Sequence, residues 1–206
     1  AIVKIGRDKK VKWILASPEG WKGELAKKVL TPVDKNGNKI KCEDSKCEGG
    51  FDWSWTQHTA WRIDEKSTAD VTYITVFDNG DARGMEQPAL PDDKYTRGVV
   101  YKIDQNKMTV EQVWEVGKEA GHEYYSPVTG LTKYMADKDS MVVYYSTSGL
   151  AGRPSAGVTG PLKPHPYLAE YKWGEKEPAV LMKFTNTMGY QAWPFDLQRA
   201  FMPAAQ

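Results

Sequence analysis

Histidine and cysteine are scarce in this chain, at three and two copies in 206 residues. A zinc site on Cys42 and Cys47 would want tighter cysteine spacing and two further ligands, and His58 is the only candidate nearby. Net charge is nearly absent. Lys plus Arg number 28 against 27 Asp plus Glu, which leaves no electrostatic footprint for nucleic acid or an anionic membrane. No apolar run approaches the roughly 18 residues of a membrane span. No basic start and apolar core mark Ala1 as the head of a signal peptide. The chain opens directly on strand-like residues, so it reads as a mature form or as a piece of something longer. Helix signals are few, and Gly23 to Leu30 is the one segment that reads as helical. The Gly- and Pro-rich segment Gly149 to Pro164 lacks the G-x-x-x-x-G-K-[ST] pattern of a phosphate cradle. Like Glu86 to Asp92, it reads as a surface loop. Asp78-Asn79-Gly80-Asp81 lacks the spaced carboxylates and closing Glu of a calcium loop and reads as a tight turn. Neither a metal nor a cofactor is expected.

Aromatic residues are abundant, with eight Trp and eleven Tyr. They suit strands and ligand pockets alike. Val3 to Ile5 and Val11 to Leu15 bracket Gly6-Arg7-Asp8-Lys9-Lys10, a hairpin pattern. The same shape returns at Val99 to Ile103 with Met108 to Trp114, and again at Tyr167 to Trp173 with Ala179 to Phe184. Val71 to Phe77, Thr132 to Met135 and Met141 to Tyr145 are further strand candidates. Three hairpins of one design at long, uneven spacing predict an all-β chain of β-propeller blades, with an ordinary antiparallel sandwich as the alternative.

The densest chemistry lies in Phe51 to Trp61, FDWSWTQHTAW. His58, flanked by Gln57 and Thr59 and walled by Trp53, Trp55 and Trp61, reads as a site for an aromatic ligand, although Trp53 and Trp55 read equally as core. Taken alone, a histidine here is more often a structural residue fixing a strand turn than a nucleophile. In a propeller the chain leaves the outer hairpin of one blade and enters the innermost strand of the next. On that frame His58, Thr129 and Tyr190 occupy corresponding points of three successive blades and converge on one channel mouth. His122 and His165 sit in loop contexts, HEYYS and PHPY, and read as solvated. Cys42 and Cys47, in KCEDSKCEGG, read either as two free thiols on a polar loop or as a local disulfide. The Asp, Ser and Gly between and after them allow the bend. A disulfide would imply an oxidising compartment.

The motifs VKIGRDKKVKWILA, TQHTAW, FDNGDARGMEQPALP, VYKID with VEQVWEVGKE, and YYSPVTG run along essentially the whole chain. Together they resemble the C-terminal part of the bacterial arylsulfate sulfotransferases that do not use 3′-phosphoadenosine-5′-phosphosulfate. The resemblance implies a six-bladed, periplasmic, homodimeric propeller, of which residues 1–206 supply about three to four blades as one partial domain. It implies ping-pong transfer of a sulfuryl group from a phenolic sulfate ester to a phenol. His58 matches the histidine that is transiently sulfated. Thr129 and Tyr190 match substrate-lining residues, and Cys42 and Cys47 match the family's short-loop disulfide. Two further histidines, an Asn and an Arg that assist the family's reaction lie upstream, and nothing in this chain matches them. Two other readings follow: a propeller module that binds its ligand without turnover, and an inactive C-terminal piece that needs upstream blades.

The chemistry fits the residue types. Sulfuryl transfer, like phosphoryl transfer, needs positioning and charge stabilisation more than exotic groups. A neutral imidazole can attack sulfur in line with a departing phenolate, and a covalent intermediate splits one exchange into two similar steps.

Overall fold

The structure, a computed structural model, describes residues 1–43, 45–86, 89–90, 93–150 and 163–195. Strands dominate it. β1 (Ile2–Ile5) and β2 (Val11–Leu15) form a separate two-stranded hairpin. β3 (Thr31–Pro32) lies parallel to β9 (Thr109–Val116) at the edge of a five-stranded sheet. Pro32, which lacks a ladder N–H, is tolerated at such an edge. β4 (Cys42–Glu43) and β5 (Lys46–Cys47) make a minimal ribbon. The rest of the five-stranded sheet is an antiparallel meander of β6 (Thr59–Ile63), β7 (Val71–Asp78), β8 (Arg97–Asp104) and β9. A second meander follows: β10 (Leu131–Met135), β11 (Ser140–Tyr145), β12 (Tyr167–Lys172) and β13 (Val180–Lys183).

The three repeated hairpins of the sequence are β1–β2, β8–β9 and β12–β13. The last two are the outer pairs of the two meanders. The expected helix survives only as Gly23–Ala26. Nothing buries a face of it, and its N-cap makes no side-chain bond. Beyond it the chain is captured by strand pairing instead: Leu30 N–H donates to Ile14 O at 2.9 Å and Thr31 N–H to Met108 O at 3.0 Å. A short helix without an apolar stripe cannot compete with that.

Two apolar clusters cover opposite faces of the first meander. One joins Trp13, Leu15, Leu30, Phe51 and Trp53 to Ile74, Val76, Val99 and Tyr101. The other lies between the meanders and joins Phe77, Val100, Trp114 and Val116 to Met141, Val143, Tyr145, Tyr167 and Tyr171. β8 is thus buried on both sides, which explains its unbroken apolar run at Val99, Val100 and Tyr101. A one-residue bulge in β9 pairs Val100 with Trp114 and Tyr101 with Gln112. It flips the side-chain parity, so Gln112 bonds toward the first cluster while Trp114 packs in the second. Gly98 marks the close approach of the sheets: a Cβ there would come within 2.7 Å of Val143 Cγ2.

The connections sort by end. At one end lie the turns 64–70, 105–108, 136–139 and 173–179. At the other lie the described parts of the long connections 79–96, 117–130 and 146–166, together with the entry to β6 and the described part of the exit from β13. All three histidines sit at this second end. Among the described residues no helix is long and apolar enough to cross a membrane. Parts of the two expected surface loops, residues 87–88, 91–92 and 151–162, lie outside the described residues.

Candidate active site

The site begins with how the segment before β6 is held. Asp78, at the buried end of β7, accepts the Trp55 N–H at 2.7 Å. Gly80 N–H donates to Trp55 O at 2.9 Å, and Asp81 N–H to Thr56 Oγ1 at 2.8 Å. Thr56 has φ 49°, in the left-handed region that a β-branched residue rarely enters. The chain then straightens, and His58 N–H donates to Phe77 O at 3.0 Å, extending the β6–β7 ladder by one residue.

Asp78 is itself fixed by charge. Its side chain is fully buried and pairs with Arg83 at 3.0 Å and Arg97 at 2.8 Å. Arg97, also fully buried, reaches Glu115 at 2.6 Å and donates to Trp53 O at 3.0 Å. Asp52 accepts from Arg83 at 3.1 Å and from the Tyr95 hydroxyl at 2.7 Å. Burial alone would raise the Asp52 carboxyl, but the Arg97 and Arg83 guanidiniums and the Tyr95 hydroxyl hold it below the usual carboxylate range. Burial pushes the Tyr101 phenol far above its ordinary value, so it stays a neutral donor to Asp52 O at 2.7 Å. Asp78, Arg83 and Arg97 escaped the sequence reading. The available signal was a charge standing at the end of an apolar strand run, VTYITVFD and TRGVVYKI. Buried charges of that kind persist only when paired.

The three expected site residues come together at the long-loop end. The His58 ring is exposed. Its Nε2 lies 3.2 Å from the Tyr190 hydroxyl, and the rings meet edge to face at 5.3 Å. Tyr190 is tied in by its backbone, whose carbonyl accepts Gly130 N–H at 3.1 Å. Thr129, one residue earlier, also has a left-handed backbone, φ 57°. Its hydroxyl lies 2.7 Å from Ser146 Oγ and donates to Gly189 O at 3.4 Å. Gly130 has φ 124°, and a Cβ there would come within 2.1 Å of the Phe77 ring. Only glycine lets this loop lie flat against Phe77.

The tryptophan wall is not as expected. Trp53 is 1% exposed and belongs to the core, with its ring edge-on to Phe51 at 5.0 Å. Trp55 packs half-buried against that same cluster. Trp61 stacks edge-to-face on Trp193 at 5.1 Å. The aromatic ring in contact with His58 is a tyrosine. Alternation along a strand separates Trp61 from its neighbours in sequence, and burial pulls Trp53 inward. His165 is also not simply solvated. It is half-buried, its Nδ1 pairs with Lys163 O at 2.8 Å, and Glu123 lies 3.9 Å away. His122 is exposed, against Tyr125. Cys42 and Cys47 face each other across the β4–β5 ribbon and are joined by a disulfide. Among the described residues no group of three His, Cys, Asp or Glu is placed to hold a metal ion.

The family model for arylsulfotransferase (ASST) matches residues 1–192. The chain belongs to the arylsulfotransferase family. It is 52% identical over 160 residues to arylsulfate sulfotransferase AssT of Escherichia coli O6:H1, and 50% identical over the same length to AssT of Lelliottia amnigena. Each match covers 76% of this chain and 26% of the relative. The chain therefore spans about a quarter of the length of the curated arylsulfotransferases it matches. His58, Thr129 and Tyr190 all lie within the span of the arylsulfotransferase model.

Proposed function

We propose that this chain carries the nucleophile and part of the phenol-binding wall of an arylsulfate sulfotransferase. The reading is a ping-pong reaction on His58. The imidazole bears its proton on Nδ1 and presents the Nε2 lone pair. Tyr190 donates its hydroxyl hydrogen to Nε2 at rest and turns aside for substrate, which its exposure permits. Nε2 attacks the sulfur of a phenolic sulfate ester. The N–S bond forms as the S–O bond breaks, leaving sulfo-His58 and releasing the first phenol as its phenolate, which takes a proton from water. A second phenol then attacks the same sulfur. Its O–S bond forms, the N–S bond breaks, and its proton passes to a base. Thr129 and Tyr190 hydrogen-bond the phenolic or sulfate oxygens, and Tyr190 also packs on the ring. The two meanders are blades of a six-bladed propeller, in a homodimeric periplasmic enzyme that needs no bound cofactor. The groups that neutralise the sulfate and take the acceptor's proton come from the longer enzyme's upstream blades.

The observation that carries this reading is the meeting of an exposed histidine, a tyrosine and a threonine at one end of the sheets in a chain of this family. The disulfide supports the oxidising compartment. The test is incubation of the longer enzyme, upstream blades included, with 4-nitrophenyl sulfate, with and without phenol. Nitrophenol should be released catalytically only when phenol is present. The peptide bearing His58 should gain about 80 Da, one SO3 group, when donor is given alone. Ligand binding without that mass gain would instead favour a binding module. Full transfer by His58→Asn would remove the nucleophile assignment.

A further inference from the structure

The contacts around His58 close into a circuit. His58 N–H bonds Phe77 O at 3.0 Å. Two residues on, Asn79 Nδ2 donates to Thr129 O at 2.8 Å and to Ser126 O at 2.7 Å. Gly130 N–H holds Tyr190 O at 3.1 Å, and the Tyr190 hydroxyl returns to His58 Nε2 at 3.2 Å. Every other link is a backbone bond or a contact of the reacting groups themselves. Tyr125 and Thr96 also tie the 117–130 connection to this part of the fold, through Asp81 Oδ1 and Asn79 O, but within the circuit Asn79 is the side chain that joins the strand holding His58 to the segment of Thr129, and through Gly130 to Tyr190. We infer that Asn79 is a positioning residue, whose carboxamide sets the spacing between His58 and the Thr129–Tyr190 wall.

Three features of the site support this. Asn79 is 1% exposed, so its bonds are shielded from competing water. Its partners are both carbonyl oxygens, so the amide orientation is dictated by chemistry: only Nδ2 can face them. Its Oδ1, by contrast, is buried and meets no donor among the described residues. A buried acceptor without a partner costs stability, so what the fold gains from an amide here is its pair of donors. A leucine would fill the space without that cost, and an aspartate would turn carboxylate against two carbonyls. The bonds also have work to do. Thr129 sits in a left-handed backbone well, which a β-branched residue leaves unless neighbours over-determine it. Asn79 at its carbonyl and Ser146 at its hydroxyl are those neighbours.

The inference rests on the sulfotransferase reading for its consequence and on geometry for its substance, so two readouts separate them. In the wild-type chain, NMR should show a nuclear Overhauser contact between the His58 and Tyr190 rings and slow exchange of the Asn79 side-chain amide protons. Asn79→Ala should keep its fold by circular dichroism yet lose the ring contact, and transfer should fall about 100-fold, the usual effect of misplacing a reacting group by about an ångström. In Asn79→Asp a carboxylate has no donor, but a protonated acid has one. Burial beside two carbonyls raises that acid above the ordinary carboxylate range, so the ring contact should persist while it is protonated, be lost as rising pH ionises it, and return when pH is lowered again, which a general loss of structure would not produce. A folded Asn79→Ala that keeps both ring contact and rate overturns the proposal. Should that variant fail to fold, a pH-independent ring contact in Asn79→Asp, or rapid exchange of the wild-type Asn79 amide, overturns it equally. The longer enzyme, upstream blades included, is the material for the rate measurements; if it shows the contact but transfers nothing, the enzymatic reading is removed, and the ring contact alone then decides the role of Asn79.

Discussion

The two ends of the meanders are built from different physics. At the turn end, connections such as 105–108 and 136–139 are short and satisfied locally. Asp104 caps its own turn, accepting Asn106 and Lys107 N–H at 3.1 and 2.9 Å, and Asp139 takes Lys66 at 3.0 Å in solvent. At the loop end, segments far apart in sequence bind one another through buried or half-buried charge and amide groups: Asp52, Asp78, Arg83, Arg97 and Asn79. A turn completes itself from neighbours and can carry almost any surface. A loop that must hold a reactive group needs a rigid frame assembled from the whole fold, which is where function concentrates. The left-handed threonines, Thr56 and Thr129, belong to the loop end.

Substitutions should separate the ends. The largest expected effect is at the loop end. Arg97→Met leaves Asp78 and Glu115 with an unmatched buried charge and should cost about 3–5 kcal/mol in urea unfolding. Next is Gly130→Ala, whose methyl would meet the Phe77 ring in an unfavourable backbone well. It should cost about 1–3 kcal/mol and weaken transfer by shifting Tyr190. Asp104→Ala at the turn end should cost about 1 kcal/mol and leave transfer unchanged. A turn-end change that cuts transfer, with stability corrected for, would erase the distinction.

Acid sharpens the same comparison. Asp52 is half-buried and held below its ordinary value, whereas Asp139 is exposed and lowered mainly by its bonds to Tyr134 and Lys66. A carboxyl depressed in the folded state stabilises the fold above its unfolded value, and that contribution disappears as pH falls through the folded value. Melting temperature should therefore be level from about pH 7 to 5 and drop below about pH 4. Asp52→Asn should flatten that acid limb, and Asp139→Asn should change it little because solvent screens the pair.

Much of the frame was legible because strands announce themselves locally. Val71 to Phe77, Thr132 to Met135, Met141 to Tyr145 and the three hairpins stand within a residue or two of their expected bounds. The proximity of the candidate residues was legible by another route: the repeated hairpins predict that His58, Thr129 and Tyr190 converge, and the three lie together at one end. The supporting shell was not legible. Asp78 looked like part of a turn, and nothing local marks Arg97 as its partner nineteen positions along. Trp53 looked as much like a pocket wall as like core, because an aromatic side chain serves both and only its burial separates them.

Sequence by itself determined the β class, the hairpin positions, the choice of His58 as the candidate nucleophile, and the family. Each rests on short-range pattern: alternation, turn chemistry, or a run of motifs. Tertiary structure alone decided which tryptophan went inside, that a bulge in β9 turns Trp114 to the opposite face, and that Asn79 and Asp78 hold two distant loops in register. Those outcomes depend on low dielectric and on partners supplied across sheets, and neither exists until the chain has closed on itself.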